Sequence, residues 1–190
     1  MDNLNKIIPF LVFNSRDDFY FLQIIKRKKE NADLNSNSIV IKSYYIKSVI
    51  ELEAKMPEIV LLCHFHNARA MINLNRKSFE KLAFQMILKV TNHLVNKEFK
   101  HIYKAYDSLV GSLKSDYPRW IVDIDSTDED YISKIINYLT ACEVILGIIP
   151  SKNGIHIITK PFRLDDFKYS YPGIDVHKNN PTNLYIPEKI

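Results

Sequence analysis

Glycine and cysteine are scarce: the 190-residue chain has four glycines and two cysteines. No GxxxxGK[ST] loop is present, which excludes a P-loop NTPase or helicase. Two cysteines make no disulfide framework. Cys63 and Cys142 each lie in or beside an apolar run and are expected as buried thiols of a reducing compartment. There is also no Cys/His cluster to supply a structural zinc element. The longest uncharged apolar stretches, Ile59–Cys63 and Val144–Ile149, are far short of the ~20 residues of a membrane helix. Met1–Lys6 carries both an acid and a base, and no small-residue cleavage site follows Ile7–Phe13, so no export leader is expected. The expected location is therefore cytoplasmic, with no membrane partner; for a phage gene it would be the host cytoplasm. The richness in Lys, Asn, Ile and Tyr fits an AT-rich genome of that kind.

The rest is ordinary globular material: 46% hydrophobic and 25% charged, without repeats or low-complexity runs. The length predicts one compact domain over residues 1–190. Net charge is only +4, from 26 basic and 22 acidic side chains, but it is unevenly spread. Residues 1–120 hold 19 basic and 12 acidic side chains; residues 121–190 hold 7 and 10. A basic half suits phosphate and an acidic half suits cations. The chain accordingly divides into an N-terminal basic α/β subregion, 1–118, and a C-terminal metal- and nucleotide-binding subregion, 119–190.

Periodicity predicts a helix over 16–31 capped by Ser15, with Phe19, Leu22 and Ile25 as its stripe. A polar loop over 31–37 follows, then a strand over 38–46 and a short helix over 47–55 ended by Pro57. A strand over 58–63 is expected to run into His64-Phe65-His66, and 68–74 continues extended. The clearest helix is 77–96, with a further one over 102–113 and a break at Pro118. Next come a strand over 120–125, a helix over 128–140 capped by Thr127, and strands over 143–149 and 155–159 joined by a turn at Asn153-Gly154. A helical turn over 163–167 and short extended segments at 174–177 and 183–186 complete the reading. The fold class is α+β, with a mostly antiparallel or mixed sheet covered by helices.

Three segments carry chemistry. In Val122-Asp123-Ile124-Asp125 the acids are two apart on a strand and share a face, a hard-oxygen pair suited to Mg²⁺ or Mn²⁺. Ser151-Lys152-Asn153-Gly154-Ile155-His156 offers backbone N–H groups, a hydroxyl, an ammonium and an imidazole to phosphate oxygens. In Ile174-Asp175-Val176 an acid sits between apolar neighbours, where it needs a partner or a metal. Each has a bland alternative: a helix cap, a polar hairpin turn and an edge-strand aspartate.

In that order the three segments resemble the core motifs of the archaeo-eukaryotic primase superfamily: hydrophobic-Asp-hydrophobic-Asp, Ser-x-(few)-His and hydrophobic-Asp-hydrophobic. The run Asp175–Thr182 is similar to part of bacterial end-joining polymerase domains, and His66–Arg76 to upstream segments of phage-encoded relatives. The resemblance covers about residues 119–187. It implies a primase-polymerase core with an RRM-like β-α-β-β unit in the C-terminal half and the N-terminal region packed on it. The implied activity is template-dependent nucleotidyl transfer by two-metal catalysis. The implied partners are nucleoside triphosphates, single-stranded or primed DNA, and a replicative helicase or other replication protein. Asp123, Asp125 and Asp175 take the catalytic divalent ions, and Ser151, Lys152 and His156 the incoming nucleotide. Charge and position add Arg69 and Arg76 as phosphate contacts. The chain departs from the family pattern in having only Gly154 in the His motif.

Two other readings stay open. His64-Phe65-His66 resembles the metal signature of rolling-circle and relaxase nucleases, with Tyr103 or Tyr106 as nucleophile. Lys26-Arg27-Lys28-Lys29, with Tyr44, Tyr45 and Phe65, fits a non-catalytic nucleic-acid or protein-binding module, or simply the solvated end of a helix.

Overall fold

A computed structural model describes residues 1–188. The chain is α+β and builds two antiparallel sheets. A one-turn helix α1 (Leu4–Ile7) and a 3₁₀ turn (Ile8–Phe10) lead into β1 (Asp18–Arg27) and β2 (Ser38–Ile46). Helix α2 (Val49–His66), β3 (Arg69–Ile72), β4 (Lys77–Ser78) and helix α3 (Phe79–Val95) follow. A 3₁₀ segment (Phe99–Lys104) enters α4 (Ala105–Ser112). The second half runs β5 (Trp120–Ile124), α5 (Glu129–Ala141), β6 (Ile145–Pro150), β7 (Ile155–Thr159), α6 (Leu164–Ser170), β8 (Asp175–His177) and β9 (Thr182–Tyr185). Among the described residues no helix is long and apolar enough to cross a membrane.

The first sheet has the order β2-β1-β3-β9, with β4 also paired to β1. The second has the order β6-β7-β5-β8. Its β-α-β-β-α-β connectivity, with β7 lying between β5 and β6, is the split β-α-β arrangement. β9 returns to the first sheet, and Met1 and Asp2 join the strand end through Ile186 and Tyr185. The two stretches of chain are thus interleaved.

The segment expected as the first helix is the central strand β1. Its run DFYFLQIIKR is apolar enough to satisfy either period, but burial alternates strand-wise. Tyr20, Leu22 and Ile24 enter the main core, while Phe19 and Phe21 face a separate cluster with Leu82, Leu109 and Val110. Ser15 caps no helix; its Oγ accepts from Asp17 N in a turn.

The helix expected to end before Pro57 and the strand expected after it are one helix, α2, with Pro57 inside. An internal proline costs about 3 kcal/mol or more. Packing overrides it: Leu52, Met56, Ile59 and Cys63 fall at helical spacing and are buried against the sheet. Ser48 caps the start by accepting from Glu51 N, and Glu51 accepts from Lys47 N in return. Asn67 closes the helix in the left-handed conformation, at φ 46°.

Smaller differences have equally local causes. The helix over 102–113 is a 3₁₀ segment plus α4. Asp128, not Thr127, caps α5 by accepting from Tyr131 N. Cys63 is buried, and burial raises its thiol pKa to about 12, but Cys142 lies exposed past the end of α5.

Lys77 is almost wholly enclosed beside the cluster of Phe19, Leu82, Leu109 and Val110, where its Nζ donates to Leu113 O at 2.9 Å. Burial pushes the ammonium from 10.5 down to about 8. Between those values the unfolded chain holds a proton that the folded chain has released, so this group makes stability rise with pH. Lys77→Met should therefore hold its greatest relative stability at pH 8 and lose it towards pH 10.5. Urea midpoints of both proteins across that range test this; parallel pH profiles would refute the buried-charge account.

Candidate functional site

Strand β5 lies between β7 and β8, and its register sets the site. Asp123 is directly opposite His156 on one side and Asp175 on the other, and Ile121 is opposite His177. Opposed residues of an antiparallel pair share a face, as do residues two apart. Asp123, Asp125, Asp175, His156 and His177 therefore belong to one face, the one whose Ile121, Ile149 and Ile158 join the main core. The other face, with Val122, Ile124 and Ile157, is sealed by Ile135 and Leu139 of α5 and Phe167 of α6.

Between the two sheets is a cleft of about 430 Å³. It gathers Asp123, Asp125, Ser151, Lys152, His156 and Arg69 of the expected residues. Asp175 is not on its wall but lines a neighbouring hollow of about 250 Å³, of which Asp123 and Asp125 are also part. Asp175 is exposed on the edge strand, where a carboxylate needs neither a partner nor a metal. Arg76 lies elsewhere, lining a pocket with Val12 and Tyr117 and pairing with Asp18 at 3.3 Å.

Asp123 is half-buried, with His156 Nε2 3.3 Å from Oδ1 and His177 Nε2 3.7 Å from Oδ2. Hydrogen-bonding attraction to His156 holds its carboxyl below the usual value; burial opposes this, and the charges of His156, His177 and Arg27 reinforce it. The His156 contact is weak and off-axis, since Oδ1 has no well-formed hydrogen-bond partner. On its other side His156 Nδ1 meets Thr182 Oγ1 at 2.8 Å. A carboxylate only accepts, so the arrangement calls for the proton on Nε2, leaving Nδ1 to accept from the Thr182 hydroxyl. Nδ1 is thus engaged by Thr182, while Nε2 rests only loosely against Asp123.

Arg69 and Lys152 both converge on Glu30. Arg69 grips its carboxylate through Nε and the guanidinium tip, and Lys152 Nζ lies 2.9 Å from Oε1. Burial alone would raise the Glu30 carboxyl, but the bonds and charges of the two cations outweigh it and lower the value. The internal anion therefore cancels one of these two positive charges. Arg27 and Lys29 also line the cleft and, among the described residues, have no ion pair.

Sequence reasoning missed Glu30, His177 and Asn183 as site residues, and it named Arg27 and Lys29 only within the basic cluster of a non-catalytic binding module. Reading β1 as a helix kept that cluster apart from the acid pair, whereas period two aligns Arg27 with Ile25. His177 was within reach, because it is two residues beyond Asp175 on the same strand face. Glu30 and Asn183 gave no local signal.

Five buried side-chain polar atoms lack hydrogen-bond partners among the described residues, and three of them belong to the cleft: Asp123 Oδ1, Ser151 Oγ and Asn183 Oδ1. Buried polar groups are normally satisfied by protein or ordered water, so this concentration singles out the cleft wall. The donors are not pre-gathered around an ion: among the described residues no three His, Cys, Asp or Glu side chains form a metal-holding group.

His64 and His66 sit on α2 rather than on a strand, and two residues along a helix is about 200° around it, so they cannot share an ion. His64 Nε2 instead meets the Tyr185 hydroxyl at 2.8 Å.

The turn bearing Ser151 and Lys152 is pressed onto the end of β5. A Cβ on Gly154 would stand 1.9 Å from Ile124 O and 2.9 Å from Ser126 N and O. Gly154 has no positive φ, so close approach is what requires glycine here. Gly154→Ala should destabilise the fold by about 1–3 kcal/mol, as overpacking does. Urea unfolding measures this, and an unchanged midpoint would show that the turn is not held against the strand.

Compared with known proteins, the chain matches no family model, no curated protein and no solved structure.

Proposed function

We propose that the chain is a template-directed nucleotidyltransferase of the primase-polymerase kind, working in the cleft between the two sheets. The observation that carries the reading is the set of partnerless buried atoms, Asp123 Oδ1, Ser151 Oγ and Asn183 Oδ1, in a cleft that also holds unpaired Arg27 and Lys29. Acids on one wall and cations on the other suit a ligand with both phosphate and divalent-cation character. The order of the three sequence motifs supplies the class of that ligand, a nucleoside triphosphate.

A divalent ion would be held by Asp123, which His156 touches only weakly, together with the exposed Asp125 and Asp175 carboxylates once the three side chains draw together. Such hard oxygen donors suit Mg²⁺ or Mn²⁺. When bound, the ion neutralises charge developing on the transferred phosphoryl group. The protein's own part is positioning and electrostatics. Arg27 and Lys29 attract the phosphate chain, and Ser151 Oγ has a free hydroxyl to donate. His156, braced by Thr182, orients the Asp123 carboxylate. Lys152 is the adjustable cation, since phosphate can replace Glu30 as its partner. Arg69 stays committed to Glu30 and shapes the wall. The DNA template and any helicase partner belong to the same proposal, resting on the motif order.

No structural observation favours the tyrosine-nuclease reading. A binding module without catalysis uses the same cations and is separated by experiment. The test is extension of a labelled, primed DNA template with Mg²⁺ or Mn²⁺ and nucleoside triphosphates, comparing wild type with Asp123→Ala. Metal-dependent elongation that falls at least about 100-fold in the variant is expected, as for loss of a group stabilising the transition state. Template binding that weakens with salt, ignores the metal and yields no extension would replace the enzyme by a binding module. A shortened strand left covalently on the protein would restore the nuclease reading.

A further inference from the structure

Helix α3 is apolar on two opposite faces, and the fold covers only one of them. Phe79, Leu82 and Met86 turn inward to pack with Phe19, Leu109 and Val110, yet Leu82 is the only one of its 17 residues to be buried. On the far side Phe84, Ile87, Leu88, Leu94 and Val95 fall at i, i+3, i+4, i+10 and i+11, which is one stripe along the helix. They are between 48% and 74% exposed, as is Phe99 in the turn that follows. Thr91 occupies the remaining position of the stripe, so no charge interrupts it between Glu80 and Glu98.

An apolar stripe on a surface helix is ordinarily turned towards a core or a partner. The six exposed side chains present roughly 650 Å² of apolar surface, taking about 150–200 Å² for each whole side chain. That exceeds the roughly 300–600 Å² of the largest patch on a typical monomer.

We infer that α3 is a homodimer interface, in which the outer stripe of one copy packs on the same stripe of a second across a two-fold axis. A two-fold contact needs a surface complementary to itself. A continuous uncharged stripe about 16 Å long, at 1.5 Å per residue, satisfies that without opposing like charges. Each end of the stripe carries one acid beside one base, Glu80-Lys81 and Lys97-Glu98, so neither rim has a net charge to repel the other. Counted on both copies, the apolar area is about 1,300 Å², above the roughly 1,000 Å² that a specific interface needs. Nothing in this inference depends on the catalytic reading.

Sedimentation equilibrium over a micromolar concentration series tests it, with wild type, Ile87→Glu and Tyr169→Glu compared. Tyr169 is exposed on α6, off the stripe, and controls for loss of surface hydrophobicity. The expected result is that wild type and Tyr169→Glu approach twice the chain mass, while Ile87→Glu weakens association by at least about tenfold with an unchanged circular dichroism spectrum. A monomeric wild type throughout the series, or a dimer that Ile87→Glu leaves intact, would overturn the inference.

Discussion

Asp123 has His156 opposite it on β7 and Asp175 opposite it on β8, and the rest of the candidate site follows from this register. Moving β5 by one residue would send Asp123 into the apolar layer under α5 and bring Val122 or Ile124 into the cleft. Such a slip is opposed on both faces at once. Ile121 is locked into the core shared with the first sheet, and Val122 and Ile124 into the layer beneath α5 and α6. A polar face is thus maintained by the apolar demands of its neighbours.

The electrostatics of the cleft follow from the same packing. Asp123 lies between two imidazoles with one oxygen lacking a well-formed hydrogen bond, and across from it the end of β1 and the turn after it supply Arg27 and Lys29. Glu30, on the loop after β1, takes up Arg69 and part of Lys152. The acid wall comes from the second sheet and most of the cations from the first. The interleaved chain ties the walls together, since β9, which carries the Thr182 that braces His156, is a strand of the first sheet.

Much of the second half could be read from sequence. Strand alternation around VDID, the Asn-Gly turn and the burst of acids before α5 each have a local cause, and the β-α-β-β order followed. Six of the eight proposed site residues meet in one cleft; Asp175 lines the hollow beside it, and Arg76 is bound up in structural contacts on another surface. The first half was harder to read because its decisive forces are not local. β1 is a nearly continuous apolar run buried on two sides, which has no single period to detect. Pro57 signals a helix end, and only the packing of Met56, Ile59 and Cys63 shows why the helix continues. Glu30 is the clearest case: its partners Arg69 and Lys152 lie far along the chain, and no spacing rule joins them.

The central claim is that the acid face of the second sheet takes up a divalent ion within the cleft. Paramagnetic Mn²⁺ tests it most directly, by titration into isotope-labelled protein while backbone amide signals are followed. The account predicts that signals from residues 122–126 and 174–177 broaden first and that Asp123→Ala abolishes this. Broadening centred elsewhere, or the same broadening in the variant, would contradict it.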